Sequence, residues 1–304
     1  MQTTFADSPS ITETHLRQRM PSPLPPGAFS EEPATPEKVL FNDGAPILVS
    51  YEETPEWYQD NEFIRHGYRP VSNSTHACFA SWLYLHNETV NIYSRLVPAV
   101  FFLAVEGMFY QYLQVKYPQA TLSDHAIFAF FLLTAVICLG LSTTYHTLMN
   151  HSLQVSELLL RLDFVGIIVL TLGDFVSGIY MVFYCEPLLR RIYWGMRTFR
   201  VCTFVGTGLF GFAPLIHGIS VFGFAKMMVQ SGMPYYLGEG GRLILGALFY
   251  TMRIPESIKP GRFDIFGCSH QVFHGLVVLA TVVQLIGILS AFDYNYNHGE
   301  CRLP

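Results

Sequence analysis

The sequence predicts an all-α integral membrane protein, a bundle of spanning helices with no soluble folded domain. Two observations carry this. Of the 304 residues, 51% are hydrophobic and only 13% charged, against about 25% charged in an ordinary soluble domain. Six apolar runs also approach the roughly 20 residues that a helix needs to cross the hydrocarbon.

The first 62 residues differ in kind. They hold half of the 18 prolines, with eleven acidic residues against three basic ones. Such a segment buries too little apolar surface to offset its ordering entropy, so the chain up to about Tyr58 is expected to be disordered. Residues 1–62 are therefore assigned as an acidic tail and 63–304 as the transmembrane domain. No apolar signal region occurs in the first twenty residues, so insertion is expected to rely on the first true span.

The runs lie at about Leu96–Leu113, Ala126–Leu148, Leu162–Tyr184, Val201–Phe224, Tyr236–Met252 and Val272–Phe292. Glu239 and Arg242 interrupt the fifth, and their spacing predicts an ion pair. The six cysteines are scattered and show no disulfide or CxxC pattern. Asp174 and Glu106, deep in spans, are expected to pair with Ser, Tyr or backbone groups. His217 reads as a helix-packing residue. His66, His76, His86, His125, His151 and His298 read as solvated.

Five polar residues stand apart. His270 and His274 are four residues apart at the mouth of the last run, so a helix puts both imidazoles on one face. Ser142 and His146 repeat that spacing at the end of the second run, and Asp163 stands near the start of the third. Ionisable groups at such depths default to functional hypotheses. A catalytic zinc takes three protein ligands and keeps a fourth position for water. His146, His270 and His274 are candidate metal ligands. Asp163 is a candidate to orient or deprotonate water, and Ser142 to hydrogen-bond water or a substrate oxyanion.

Six spans conflict with this cluster. Crossing the third, fourth and fifth would leave His270 and His274 about 30 Å of hydrocarbon away from His146. The basic residues would also concentrate on the wrong face. One more crossing within Arg191–Arg197 reunites the cluster and puts nine basic residues on its face against five on the other. The sixteen residues Cys185–Arg200, with four arginines, cannot supply it. A span is missing there.

Gly67-Tyr-Arg-Pro70, Leu85-His-Asn-Glu88-Thr-Val-Asn91, Arg253-Ile-Pro-Glu256, Pro260-Gly-Arg-Phe-Asp264 and Ser269-His270-Gln-Val-Phe-His274 together resemble the progestin and adipoQ receptor family. This family includes adiponectin receptors, fungal Izh-type proteins and haemolysin-III-related proteins, and the fungal branch is the most similar. The resemblance covers about 63–292. It implies a seven-transmembrane bundle with a cytosolic N-terminus, of which six spans are detectable here, in the plasma membrane or endoplasmic reticulum. It implies Zn²⁺ near the cytoplasmic face, with the family's motifs falling on Ser142, His146, Asp163, His270 and His274. It further implies ceramidase-like hydrolysis of a membrane lipid. A receptor with a structural zinc is the alternative, and a transporter or pore the third reading. Nothing points to nucleic acid.

Overall fold

The computed structural model describes residues 41–42, 45–195 and 213–298. Among these, β1 (Phe41–Asn42) and β2 (Ala45–Pro46) form a two-residue antiparallel pair. The helices are α1 (Thr75–Ala80), α2 (Thr89–Lys116), α3 (Leu122–Leu148), α4 (Leu153–Val182), α5 (Pro187–Gly195), α6 (Ala213–Phe222), α7 (Phe224–Gln230), α8 (Met233–Met252) and α9 (Ser269–His298).

Capping chemistry sets where the long helices begin. Before α3, the Thr121 hydroxyl accepts from the Asp124 N–H while the Asp124 carboxylate accepts from the Thr121 N–H at 2.7 Å, a reciprocal box that satisfies two free donors. Lys116 in the last turn of α2 complements the negative end of the helix dipole. Small residues let the helices approach. A Cβ on Gly173 of α4 would come within 2.0 Å of the Thr134 hydroxyl oxygen on α3, so only glycine permits that crossing. The core lies between these helices, around Phe102, Phe131, Leu139, Met181 and Phe292. Val97, Val100 and Phe101 on α2, and Phe164, Ile167 and Ile168 on α4, are exposed instead, as suits a surface solvated by lipid.

Among the described residues, four helices, α2, α3, α4 and α9, are long and apolar enough to cross a membrane. α8 is a full-length helix of 20 residues, but Glu239 and Arg242 lie within it. Seven spans are therefore not displayed by the described residues. Of the expected span Val201–Phe224, only the part from Ala213 is described, as the ten-residue α6.

The topology resolves the conflict between six spans and the histidines. At the end of the bundle called distal here, Tyr117 after α2 packs on Phe292 and Tyr296 of α9, and Asp124 accepts from Tyr180 of α4 at 2.6 Å. At the same end Gln230 of α7 donates to the Val182 carbonyl at 2.9 Å, and its own carbonyl accepts from Asn295 at 2.8 Å. The stretch after Val182 thus leaves and rejoins the bundle at the distal end. α8 then returns to the opposite, proximal end, where His270 opens α9. A single crossing between α4 and α8, as six spans require, is overturned. Arg191 lies in α5, while Arg197 lies outside the described residues.

Several smaller expectations are corrected. Val49–Asn61 packs on the proximal end instead of remaining loose: Val49 and Tyr68 exchange backbone hydrogen bonds at 2.8 and 3.1 Å, and Tyr58 is buried. The expected disorder of residues 1–40 falls outside the described residues. Glu239 and Arg242 form no ion pair, because Arg242 donates to the Gly238 carbonyl at 2.6 Å while Glu239 faces Asp174. Asp174 meets Tyr and Ser partners as expected, but through its backbone carbonyl. One Glu106 carboxylate oxygen is enclosed without a partner. His86 is buried and accepts from the Glu88 N–H at 3.1 Å. His217 does pack between helices, 2.7 Å from the Tyr193 hydroxyl. Cys185 is disulfide-bonded, although the cysteine spacing shows no disulfide pattern.

Candidate metal centre

The proximal end is tied together by polar residues of the loops. Arg69, fully buried, donates to the Ser81 hydroxyl and Thr147 carbonyl at 2.9 Å and to the His146 carbonyl at 2.7 Å. It thereby satisfies carbonyls that the last turn of α3 leaves free and fixes the backbone that bears His146. Glu256 does the corresponding work for α9: its carboxylate accepts from the Ser269 N–H at 2.7 Å, from the Ser269 hydroxyl, and from Asn61 at 3.1 Å. An acid at a helix N-terminus is favoured by charge and by the free N–H groups there. Asp264 accepts from the N–H groups of Arg65 and His66, both at 3.0 Å, and ties the segment before α9 to the N-terminal strap.

This framework brings the three histidines together. Their donor nitrogens lie within 4.8 Å of one another, and Nε2 of His146 is 3.3 Å from Nε2 of His270. Two imidazole nitrogens, each about 2.0–2.1 Å from a tetrahedral zinc, stand about 3.3 Å apart, so this spacing fits a shared metal. His146 and His274 are buried and His270 is half-buried.

The outward-facing ring nitrogens are held too. Nδ1 of His146 is 2.8 Å from Glu88 Oε2, which also accepts from Asn91 at 2.8 Å. Nδ1 of His274 is 3.1 Å from the Ser94 hydroxyl. Metal-binding histidines usually have their second nitrogen held by a carboxylate, carbonyl or hydroxyl, which sets tautomer and ring orientation. Burial pushes the Glu88 carboxyl up, but the hydrogen bonds from His146 and Asn91 outweigh this and hold it below the usual carboxylate range.

A cavity of about 520 Å³ adjoins the cluster, lined by Ser142 and Asp163 as well as by all three histidines. Ser142 is buried on α3 one turn before His146. Asp163 is half-buried ten residues inside α4, not at its start, because the polar turns from Leu153 to Arg161 extend the helix beyond the apolar run. Phe164, Ile167 and Leu243 line the cavity and are also exposed on the flank of the bundle, so that wall presents an apolar outer surface. Cys268 is buried and stands outside the histidine cluster.

Glu88, Ser94 and Arg95 were not singled out by sequence reasoning. Their signal was present: Glu88, Asn91 and Arg95 recur at i, i+3 and i+7, a polar stripe along one face of an otherwise apolar helix.

Comparison with known proteins fits these observations. The pattern described as "Haemolysin-III related" matches residues 83–196 and again 192–285. The adiponectin receptor protein of Drosophila melanogaster is 34% identical over 281 residues, covering 84% of this chain and 62% of that protein. The ADIPOR-like receptor IZH2 of Saccharomyces cerevisiae is 36% identical over 268 residues, covering 81% of this chain and 84% of that protein. The chain thus spans less than two thirds of the fly protein and most of the yeast one. The fly alignment takes up about 255 of this chain's 304 residues across 281 positions, so about 26 positions face gaps in this chain. The two matched segments overlap at residues 192–196, the place where the charge and parity arguments expect a further span. The chain belongs to the haemolysin-III-related family, that of the progestin and adipoQ receptors, and is a multi-pass membrane protein.

Proposed function

We propose that this protein is a zinc-dependent hydrolase of membrane-lipid amides, ceramidase-like, feeding sphingolipid signalling and zinc or sterol homeostasis. The observation that carries the reading is the convergence of His146, His270 and His274 on a cavity that also presents Ser142, Asp163 and a lipid-facing wall.

In this reading the three imidazoles hold Zn²⁺ through their inward nitrogens, with Glu88 and Ser94 fixing the rings of His146 and His274. The ion, when bound, lowers the pKa of a water and polarises a carbonyl. Asp163 takes the proton of the attacking water and passes it to the leaving amine. Ser142 donates its hydroxyl to the oxygen that gains charge. The apolar wall admits a chain from the bilayer and keeps bulk water from the amide.

Orientation follows from charge. Arg65, Arg69, Arg253, Lys259 and Arg262 belong to the proximal loops, whereas Lys116, Arg190, Arg191 and Lys226 are distal. Basic loops favour the cytoplasm, and the distal disulfide of Cys185 favours an oxidising compartment. The proximal end and the N-terminal strap attached to it are therefore assigned to the cytosol.

The test is release of fatty acid from ceramide by purified full-length protein loaded with one zinc per chain. Zinc-loaded protein that releases none, under conditions where the yeast relative does, overturns the reading. The names of the relatives favour a second reading, a receptor in which zinc is structural.

A further inference from the structure

We propose that Glu106 and His125 form a lipid-facing site for the ammonium group of a single-chain primary amine, on the flank of the bundle and apart from the histidine cluster. A groove of about 230 Å³ runs between α2 and α3 towards the distal end, with Glu106, Phe109, Tyr110, Leu122, His125 and Phe128 in its lining. Tyr110 and Leu122 are exposed, so the groove opens sideways. Two polar atoms of its lining are enclosed without a hydrogen-bond partner among the described residues: Oε2 of Glu106 and Nε2 of His125. The expectation that His125 is solvated is corrected for that nitrogen.

Both atoms call for a donor. Nδ1 of His125 stands 2.9 Å from the Thr121 carbonyl. A carbonyl only accepts, so Nδ1 carries the ring proton and Nε2 is left as an acceptor. The Glu106 carboxylate is an acceptor as well, and an ionisable group within a span defaults to a functional hypothesis. Tyr110, one turn after Glu106, packs its ring 4.9 Å from that of His125. Its hydroxyl accepts from Gln114 at 2.8 Å, which fixes the wall beside the imidazole. An ammonium brings three N–H donors and a positive charge, enough for both acceptors. A hydroxyl brings one donor and no charge, and a fatty-acid carboxylate brings a charge of the wrong sign. Phe109, Leu113 and Phe128 give apolar contact to the first part of an alkyl chain, and the open side lets the rest continue along the bilayer.

The experiment uses purified full-length protein in phosphatidylcholine nanodiscs and a photoreactive hexadecylamine with a diazirine on its chain near the amine. Labelling is expected to map by peptide mass spectrometry to residues 106–129, which contain the groove. Hexadecylamine is expected to compete about tenfold more effectively than hexadecanol, and butylamine at millimolar concentration not at all. Glu106→Gln, which keeps the shape of the side chain and removes its charge, is expected to abolish the preference. His125→Phe, which keeps a ring against Tyr110, is expected to lower it about threefold. Equal competition by amine and alcohol in the wild type, an unchanged preference in Glu106→Gln, or labelling elsewhere in the chain overturns the proposal. Stronger competition by hexadecanol or by cholesterol overturns the assignment to an amine. Because neither metal nor turnover is read, absence of ceramide hydrolysis leaves this result standing, and a failed labelling test leaves the hydrolase test standing.

Discussion

Glu88 and His146 are 58 residues apart in sequence, yet the Glu88 carboxylate stands 2.8 Å from Nδ1 of His146. Through this contact the start of α2 sets the ring angle of a candidate ligand at the end of α3. Loss of such an orienting group typically costs 10–100-fold in metal affinity. Glu88→Gln is expected to weaken zinc binding by about that factor, measured by competition with a chromogenic chelator. Affinity within twofold of wild type would sink the orienting role.

Ser142 and Asp163 separate an enzyme from a structural site. Asp163→Asn is expected to lower ceramide turnover by about 10²–10⁴-fold, the usual worth of a positioned acid–base group. Ser142→Ala is expected to lower kcat by a smaller factor. Zinc content by atomic emission should stay at one per chain in both. Unaltered turnover in Asp163→Asn would move Asp163 out of the chemistry.

Arg69 is a structural keystone of the proximal end. Arg69→Met leaves the carbonyls of His146 and Thr147 and the Ser81 hydroxyl without their donor. Hydrogen bonds to charged groups are worth about 1.5–3 kcal/mol each, and a buried acceptor left bare adds to the loss. A destabilisation of about 3 kcal/mol or more is expected, read as a lower melting midpoint in detergent together with weakened zinc binding. A melting curve that superimposes on wild type would contradict this.

Zinc is expected to act as a staple between α3 and α9, since it would link His146 to His270 and His274. Chelation should lower the melting midpoint and stop hydrolysis, and zinc should restore both. Zinc at one hundred times its Kd corresponds to about 2.7 kcal/mol of stabilisation. Identical melting with and without metal counts against binding at these residues.

The further span expected between Arg191 and Arg197 is open to a direct check. A transcript read across Trp194–Arg197 is expected to contain the codons of one further spanning helix, about 20. Transcripts lacking them in every tissue or condition sampled would establish the short chain as the natural product.

The candidate site was legible because its members are rare within apolar runs. His146, His270, His274, Ser142 and Asp163 stand out against Leu, Val and Phe, and helical spacing aligns them. Parity then showed that they must share one end, and the structure brings them there. Arg95 and Glu88 were less legible, since a charge next to a predicted span boundary reads as an interfacial residue until the helix is seen to extend outward. The Glu239–Arg242 misreading has a similar cause: i,i+3 spacing makes a pair possible, but the side chains answer to what packs against α8, and Asp174 lies opposite Glu239. Order in Val49–Asn61 was hidden because its partners include Arg253, which donates to the Asp60 carbonyl, and Glu256, which accepts from Asn61, some 190 positions later, and composition reports nothing of distant partners.

His146 closes α3, whereas His270 and His274 open the last long helix, 124 residues later. During synthesis, then, a chain released before its final helix has only one of the three clustered imidazoles, that of His146. Capture of a metal by all three would await completion of translation and integration of that helix. If the cluster holds zinc as proposed, a loaded ion would mark a molecule made to its end and threaded in the right sense.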